Sequence, residues 1–135
     1  MDIKEQLQRD EGYRGSPYKC TEGYWTIGYG RNLETNPMTV DEAGYLLAND
    51  IKDVVHKLKD IGLVTDVSDP RQAVWVNMAF QMGVSGLLRF KNTLKYYQDG
   101  DYESCAHEML DSNWAKQTPN RAKRMSLQML TGDWQ

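Results

Sequence analysis

The chain has no wholly apolar run longer than a few residues, which excludes a membrane-spanning helix. Its opening stretch, MDIKEQLQRDE, lacks the apolar segment a secretory leader needs, so a cytoplasm is the expected compartment. Cysteine is scarce: Cys20 and Cys105 stand alone, which argues against a disulfide framework in a reducing compartment. The same two cysteines and the two histidines show no C-x₂₋₄-C spacing, so a structural zinc site is not expected. Only four prolines, no low-complexity tract and no repeat at solenoid period leave neither a linker nor a repeat architecture. Net positive charge is missing too. At −3 the chain lacks the basic footprint of a nucleic-acid binder.

What is present suits one domain with a real core: 135 residues, 40% apolar, four Trp and eight Tyr. The charge is uneven. Residues 1–69 carry 8 basic and 13 acidic side chains, and residues 70–135 carry 8 basic and 6 acidic. The basic excess sits at Lys116, Arg121, Lys123 and Arg124, as expected for one basic helix facing solvent or an anionic ligand.

Asp2 followed by Glu5 is a capping-box signature, and Gly12 offers a left-handed terminator, so the first helix is expected to end at Glu11. From Tyr13 to Leu33 the pattern changes to turn clusters (Gly15-Ser16-Pro17, Thr21-Glu22-Gly23) and aromatic, β-branched residues, which predicts two or three short antiparallel strands. Thr39 with Glu42 opens a long helix whose apolar positions fall at 40, 43, 47, 51, 54, 58 and 61, ended by Gly62. Asp69-Pro70 reads as the start of a helix apolar on nearly every side, AVWVNMAFQM, and hence central to a core. Shorter helices are expected beyond it, with breaks at Gly83, Gly86, Asp99-Gly100 and Asn113, and Thr118-Pro119 opening the last, with Ala122, Met125 and Met129 facing inward. The fold class is therefore α+β: a small antiparallel sheet lobe, about 13–60, joined by the long helix to a mostly helical lobe of 1–12 plus 61–135, with a cleft between them.

The chemistry concentrates in Glu11–Gly30. Carbonyls at a helix C-terminus disfavour a neighbouring negative charge, which suits Glu11 to proton donation. Cys20 lies beside Lys19, a neighbour that favours the thiolate, and Thr26 offers a hydroxyl from a strand of the same small lobe. Taken singly, each is ordinary. Helix-end glutamates are mostly solvated, free cysteines are often buried, and threonine in a strand is unremarkable.

Together they are not. The spacing Glu-x8-Cys-x5-Thr resembles the Glu-x8-(Asp/Cys)-x5-Thr triad of the phage lysozymes, glycoside hydrolase family twenty-four. The words DEG (10–12), YKCTEGYWTIGYG (18–30), NMAFQMG (77–83) and QTPNRAKR (117–124) resemble that family in the same order, with a shorter loop region around 31–38. The resemblance implies a lysozyme-like two-lobed fold and hydrolysis of the β-1,4 bond between N-acetylmuramic acid and N-acetylglucosamine. Glu11 would be the general acid, Cys20 the second catalytic group and Thr26 the residue that orients water. Arg121 would pair with Glu11 in support. Family enzymes invert the anomeric centre, which needs roughly 6.5–9.5 Å between the two catalytic groups to admit water. By the same resemblance Gly30, Phe80, Gln81, Thr93 and Trp114 would touch substrate. Asn32 and Glu108 would occupy two further contact positions where T-even members carry leucine and asparagine.

The reading implies an endolysin with no metal and no organic cofactor. It would be a monomer acting on peptidoglycan, held in the host cytoplasm until a holin permeabilises the membrane. Two competitors stay open. A lytic transglycosylase needs only one acidic group and leaves 1,6-anhydro ends, and a wall-binding module would keep the groove without the chemistry. A cysteine-protease pair of Cys20 or Cys105 with His56 or His107 is disfavoured, because His56 falls on the expected solvent face of the long helix. Met78, Met82, Met109, Met125 and Met129 read as core packing.

Overall fold

Asp2 and Glu5 cap each other reciprocally, the Asp2 carboxylate accepting from the Glu5 amide at 2.8 Å and the Glu5 carboxylate from the Asp2 amide at 3.1 Å. This opens α1 (Ile3–Glu11), which ends where Gly12 takes a φ of 70°. Its ψ of 151° is extended rather than left-handed helical, so the chain passes straight into the sheet instead of closing a helical cap. The computed structural model describes all residues, Met1–Gln135. They divide into two compact units, Met1–Leu46 and Leu47–Gln135.

The first unit holds α1 and a three-stranded antiparallel sheet in the order β1 (Arg14–Lys19), β2 (Trp25–Gly28), β3 (Arg31–Asn32). Tyr18 lies opposite Thr26 and Lys19 opposite Trp25, while Thr26 is also opposite Asn32 on its other side. Paired residues share a face, so Tyr18, Thr26 and Asn32 line one side of the sheet. Between Arg14 and Tyr18 the register slips at a bulge that contains Pro17. Thr39 and Glu42 form the second capping pair, at 3.2 Å and 2.9 Å, and open α2 (Val40–Asp60). The helical spacing of its apolar residues is as read, but only the C-terminal end reaches a core. Leu58 is fully buried and Val54 packs on the same cluster, whereas Val40 is 89% exposed.

The second unit is helical: after the last turns of α2 come α3 (Pro70–Leu87), α4 (Lys91–Gln98), α5 (Tyr102–Leu110), α6 (Asn113–Gln117) and α7 (Pro119–Thr131). The Asp69 side chain accepts the Arg71 amide at 2.9 Å and Pro70 fills the first helical position, as the sequence indicates. Val74, Trp75, Met78 and Ala79 on α3 are buried among Met109, Ala122, Met125 and Met129, so the methionines are core, with Met82 packed at the edge. Trp75 meets Tyr97 edge-on at 5.1 Å between ring centroids. Gly83 kinks α3 at φ 80°, ψ 159°. Gly86 is not a break: it continues the helix beyond the kink, and its missing Cβ leaves room for Met82, which a methyl would meet at 3.1 Å. Asn113 likewise begins α6 instead of ending α5, because Ser112 accepts the Ala115 amide at 3.1 Å. Seven helices and one small antiparallel sheet confirm the α+β class. No helix is long and apolar enough to cross a membrane.

Candidate active site

Glu11 is the last residue of α1, and its side chain is exposed. The ion pairs of its unit, Met1–Glu5, Arg9–Asp10 and Arg31–Glu42, leave it out. What it touches is Gly30, in the turn between β2 and β3. A Cβ at Gly30 would stand 2.8 Å from Glu11 Cδ and 3.3 Å from Cγ, and closer still to Oε2. The carboxyl therefore lies against the bare α-carbon of Gly30.

Cys20 sits at the turn after β1, where its amide donates to Tyr24 O at 2.9 Å and its carbonyl accepts the Gly23 amide at 2.9 Å. The thiol is held below its ordinary value of 9.0, first by the backbone N–H of Tyr24, then by that of Glu22 and by the Thr26 hydroxyl, against partial desolvation and the charge of Glu22. Lys19 does not contribute as the sequence suggested. Its ammonium lies over the Trp25 ring at 5.3 Å, because Lys19 and Trp25 are paired across the strands. Thr26 is 3% exposed, and its hydroxyl donates to Tyr24 O at 3.0 Å. Asn32 is on the Thr26 face, but its amide oxygen is taken by the backbone N–H groups of Glu34 and Thr35, at 3.0 and 3.2 Å.

The remaining expected residues lie in the second unit, at two separate hollows. Thr93, Glu108 and Trp114 line one of about 730 Å³, together with Arg89, Lys91 and Asp111. Thr93 is only 2% exposed, so little of its side chain is free for contact. Gln81 is joined to this group because its side-chain oxygen accepts Trp114 Nε1 at 2.9 Å. Phe80 and Arg121 line the other hollow, about 450 Å³ and mostly apolar. There Arg121 donates to Asn77 Oδ1 at 2.9 Å and to Asn77 O at 3.1 Å. His56 is exposed on α2, while Cys105 is fully buried, its thiol pushed up to about 12 chiefly by desolvation. Neither is set up for nucleophilic chemistry.

Residues 8–129 match the profile of the Phage lysozyme family. The chain belongs to that family. Membership places it among the lysozyme-type glycosidases. It is 32% identical to "Probable T4-type lysozyme 1" of Dictyostelium discoideum, over 96% of this chain and 94% of the relative. It is 28% identical to an "Endolysin" of Acyrthosiphon pisum secondary endosymbiont phage 1, over 89% of this chain and 84% of the relative. It is also 35% identical to the "Pre-baseplate central spike protein Gp5" of Enterobacteria phage T4, over 98% of this chain but only 28% of that protein's length. The matches to the spike protein and the Dictyostelium lysozyme extend over 162 and 160 residues against 135 here, so these two relatives carry additional residues within the matched stretch.

Sequence reasoning missed two features of the first unit. The contact of Glu11 with Gly30 has no local signal, since the residues are distant in sequence. Arg31 and Glu42 bond each other across the β3–α2 connection, and no spacing rule for strands or helices links such positions.

Proposed function

We propose that this lysozyme-type chain is an endolysin that hydrolyses the β-1,4 bond between N-acetylmuramic acid and N-acetylglucosamine in peptidoglycan. The observation that carries the reading is a partly exposed Cys20 at the turn after β1, its thiol held below the ordinary value chiefly by the Tyr24 backbone, in the same sheet as Thr26. Glu11 donates its proton to the glycosidic oxygen as the bond from that oxygen to the anomeric carbon breaks. The Cys20 thiolate takes a proton from a water oriented by the Thr26 hydroxyl. That water's oxygen bonds to the anomeric carbon from the face opposite the leaving group. The products are a reducing end and a free 4-hydroxyl. The Cys20 thiol then loses its proton to solvent and Glu11 regains one, which resets both groups.

Arg121 has a supporting role in this reading, and Gly30, Asn32, Phe80, Gln81, Thr93, Glu108 and Trp114 touch the glycan. No metal or organic cofactor takes part. The protein acts as a monomer, waits in the host cytoplasm and reaches the wall when a holin opens the membrane.

The test is digestion of purified peptidoglycan, with the new sugar ends identified by mass. Reducing ends, lost in Glu11→Gln and cut by orders of magnitude in Cys20→Ser, are the expected result. A 1,6-anhydro ring would make the enzyme a transglycosylase. Retention on the wall with no new ends would leave only a binding module.

A further inference from the structure

The geometry points to Gly30 as a positioning residue for Glu11: its bare α-carbon is a seat that fixes the carboxyl of the proposed proton donor. The inference rests on the reading of Glu11 as general acid. A glutamate at a helix end has three rotatable side-chain bonds. This one has no ion pair in its own unit to hold it. It lies instead against Gly30, with Oε2 and Cδ inside the space a Cβ there would need, Cδ at 2.8 Å, and Cγ in tight contact at 3.3 Å. Real Cβ atoms do not approach so closely, so any side chain at position 30 pushes the carboxyl away.

Turn geometry alone does not account for this. Gly28 and Gly30 flank the same turn with nearly equal φ, +68° and +70°, yet a Cβ at Gly28 would meet nothing within 4 Å. Both positions disfavour an L-residue for backbone reasons, and only Gly30 also carries the steric demand.

The seat is rigid. Ile27 pairs with Arg31 and Thr26 with Asn32 on either side of the turn. Arg31, next in the chain, donates to Asn36 O at 2.9 Å and to Pro37 O at 2.7 Å. The turn that seats Glu11 follows directly on β2, the strand that carries Thr26, so the acid and the hydroxyl are set in one sheet.

The experiment compares Gly30→Ala with Gly28→Ala on solubilised, uncross-linked glycan strands. Both variants bear the backbone strain. A misplaced acid lowers turnover, so kcat of Gly30→Ala is expected to fall about ten- to a hundredfold with KM within about threefold, while Gly28→Ala keeps its turnover. A kcat for Gly30→Ala no lower than for Gly28→Ala overturns the seat. So does a rise in KM with kcat kept, since that marks Gly30 as a sugar contact only.

A second readout does not depend on activity. In a Glu11→Ala background the extra destabilisation of Gly30→Ala over Gly28→Ala, measured by urea unfolding, is expected to vanish, and strict additivity overturns the contact. If Gly30→Ala alone does not fold, recovery of folding by Glu11→Ala supports the seat, and failure to recover overturns it. Near-normal turnover in Glu11→Gln sinks the acid assignment while leaving the stability coupling intact, so the two failures are distinguishable.

Discussion

Arg31, in the two-residue strand β3, donates to both carboxylate oxygens of Glu42 in the first turn of α2. The same guanidinium reaches the carbonyls of Asn36 and Pro37, and Glu42 also accepts the Thr39 amide. One ion pair thereby ties together a strand, a loop and a helix start. Arg31, Asn36 and Pro37 all lie within the 31–38 region.

This pair sets an acid limit on stability. Glu42 is held at about 2 against an ordinary 4.5, chiefly by its hydrogen bond from Arg31. Because the folded-state value is depressed, the pair's contribution is complete above 4.5 and is lost as pH falls through about 2. Urea midpoints of the native chain and Glu42→Gln should differ by a constant amount above 4.5 and converge toward about 2. A gap that persists unchanged at the acid end rules the ion pair out as its source.

The two cysteines should react very differently. Cys20 is partly exposed with a lowered value, whereas Cys105 is buried and pushed up to about 12. Iodoacetamide at mildly alkaline pH should place one adduct on Cys20 in the native protein and reach Cys105 only in urea. Peptide mass mapping reads the outcome, and comparable native labelling of Cys105 contradicts its burial.

A thiolate base also shapes the pH profile. Glu11 must hold its proton while Cys20 has lost one, so turnover should be bell-shaped in pH, with one limb set by the Cys20 thiol, which is held below 9.0. Cys20→Asp should keep substantial activity and move that limb down toward the carboxylate range, about 4. An unmoved limb assigns it to another group and removes Cys20 from the role of base.

The helical core should be most sensitive at Trp75, which is fully buried and meets Tyr97 edge-on. Trp75→Ala is expected to destabilise by about 3–5 kcal/mol through lost contact and the cavity left behind. Urea unfolding measures it, and a loss under about 1 kcal/mol would show that neighbouring side chains collapse into the space.

Local signals made much of the fold legible. Capping pairs at Asp2/Glu5 and Thr39/Glu42, Pro70 after Asp69, and the apolar run of α3 depend on residues a turn apart, so sequence displays them directly. Gly86 and Asn113 misled because a glycine can stay helical where a neighbour packs on it, and an asparagine can follow a serine cap. At the site, the spacing of Glu11, Cys20 and Thr26 was readable, but what lowers the thiol was not. Lys19 is adjacent in sequence yet faces Trp25, while Tyr24 and Glu22 act through amides that a one-dimensional reading does not place. The Glu11–Gly30 contact is tertiary and has no sequence trace.

The sheet has one further consequence, for behaviour at high concentration. Its outer strands are β1 and β3, and an unpaired strand edge is a template on which another chain can add. Here β3 offers only Arg31 and Asn32, and β1 is interrupted by a bulge and by Pro17, which has no N–H to donate, with Arg14 and Lys19 at its ends. Neither edge presents a continuous ladder, so the small aromatic-rich sheet is protected against edge-to-edge aggregation by its own irregularity.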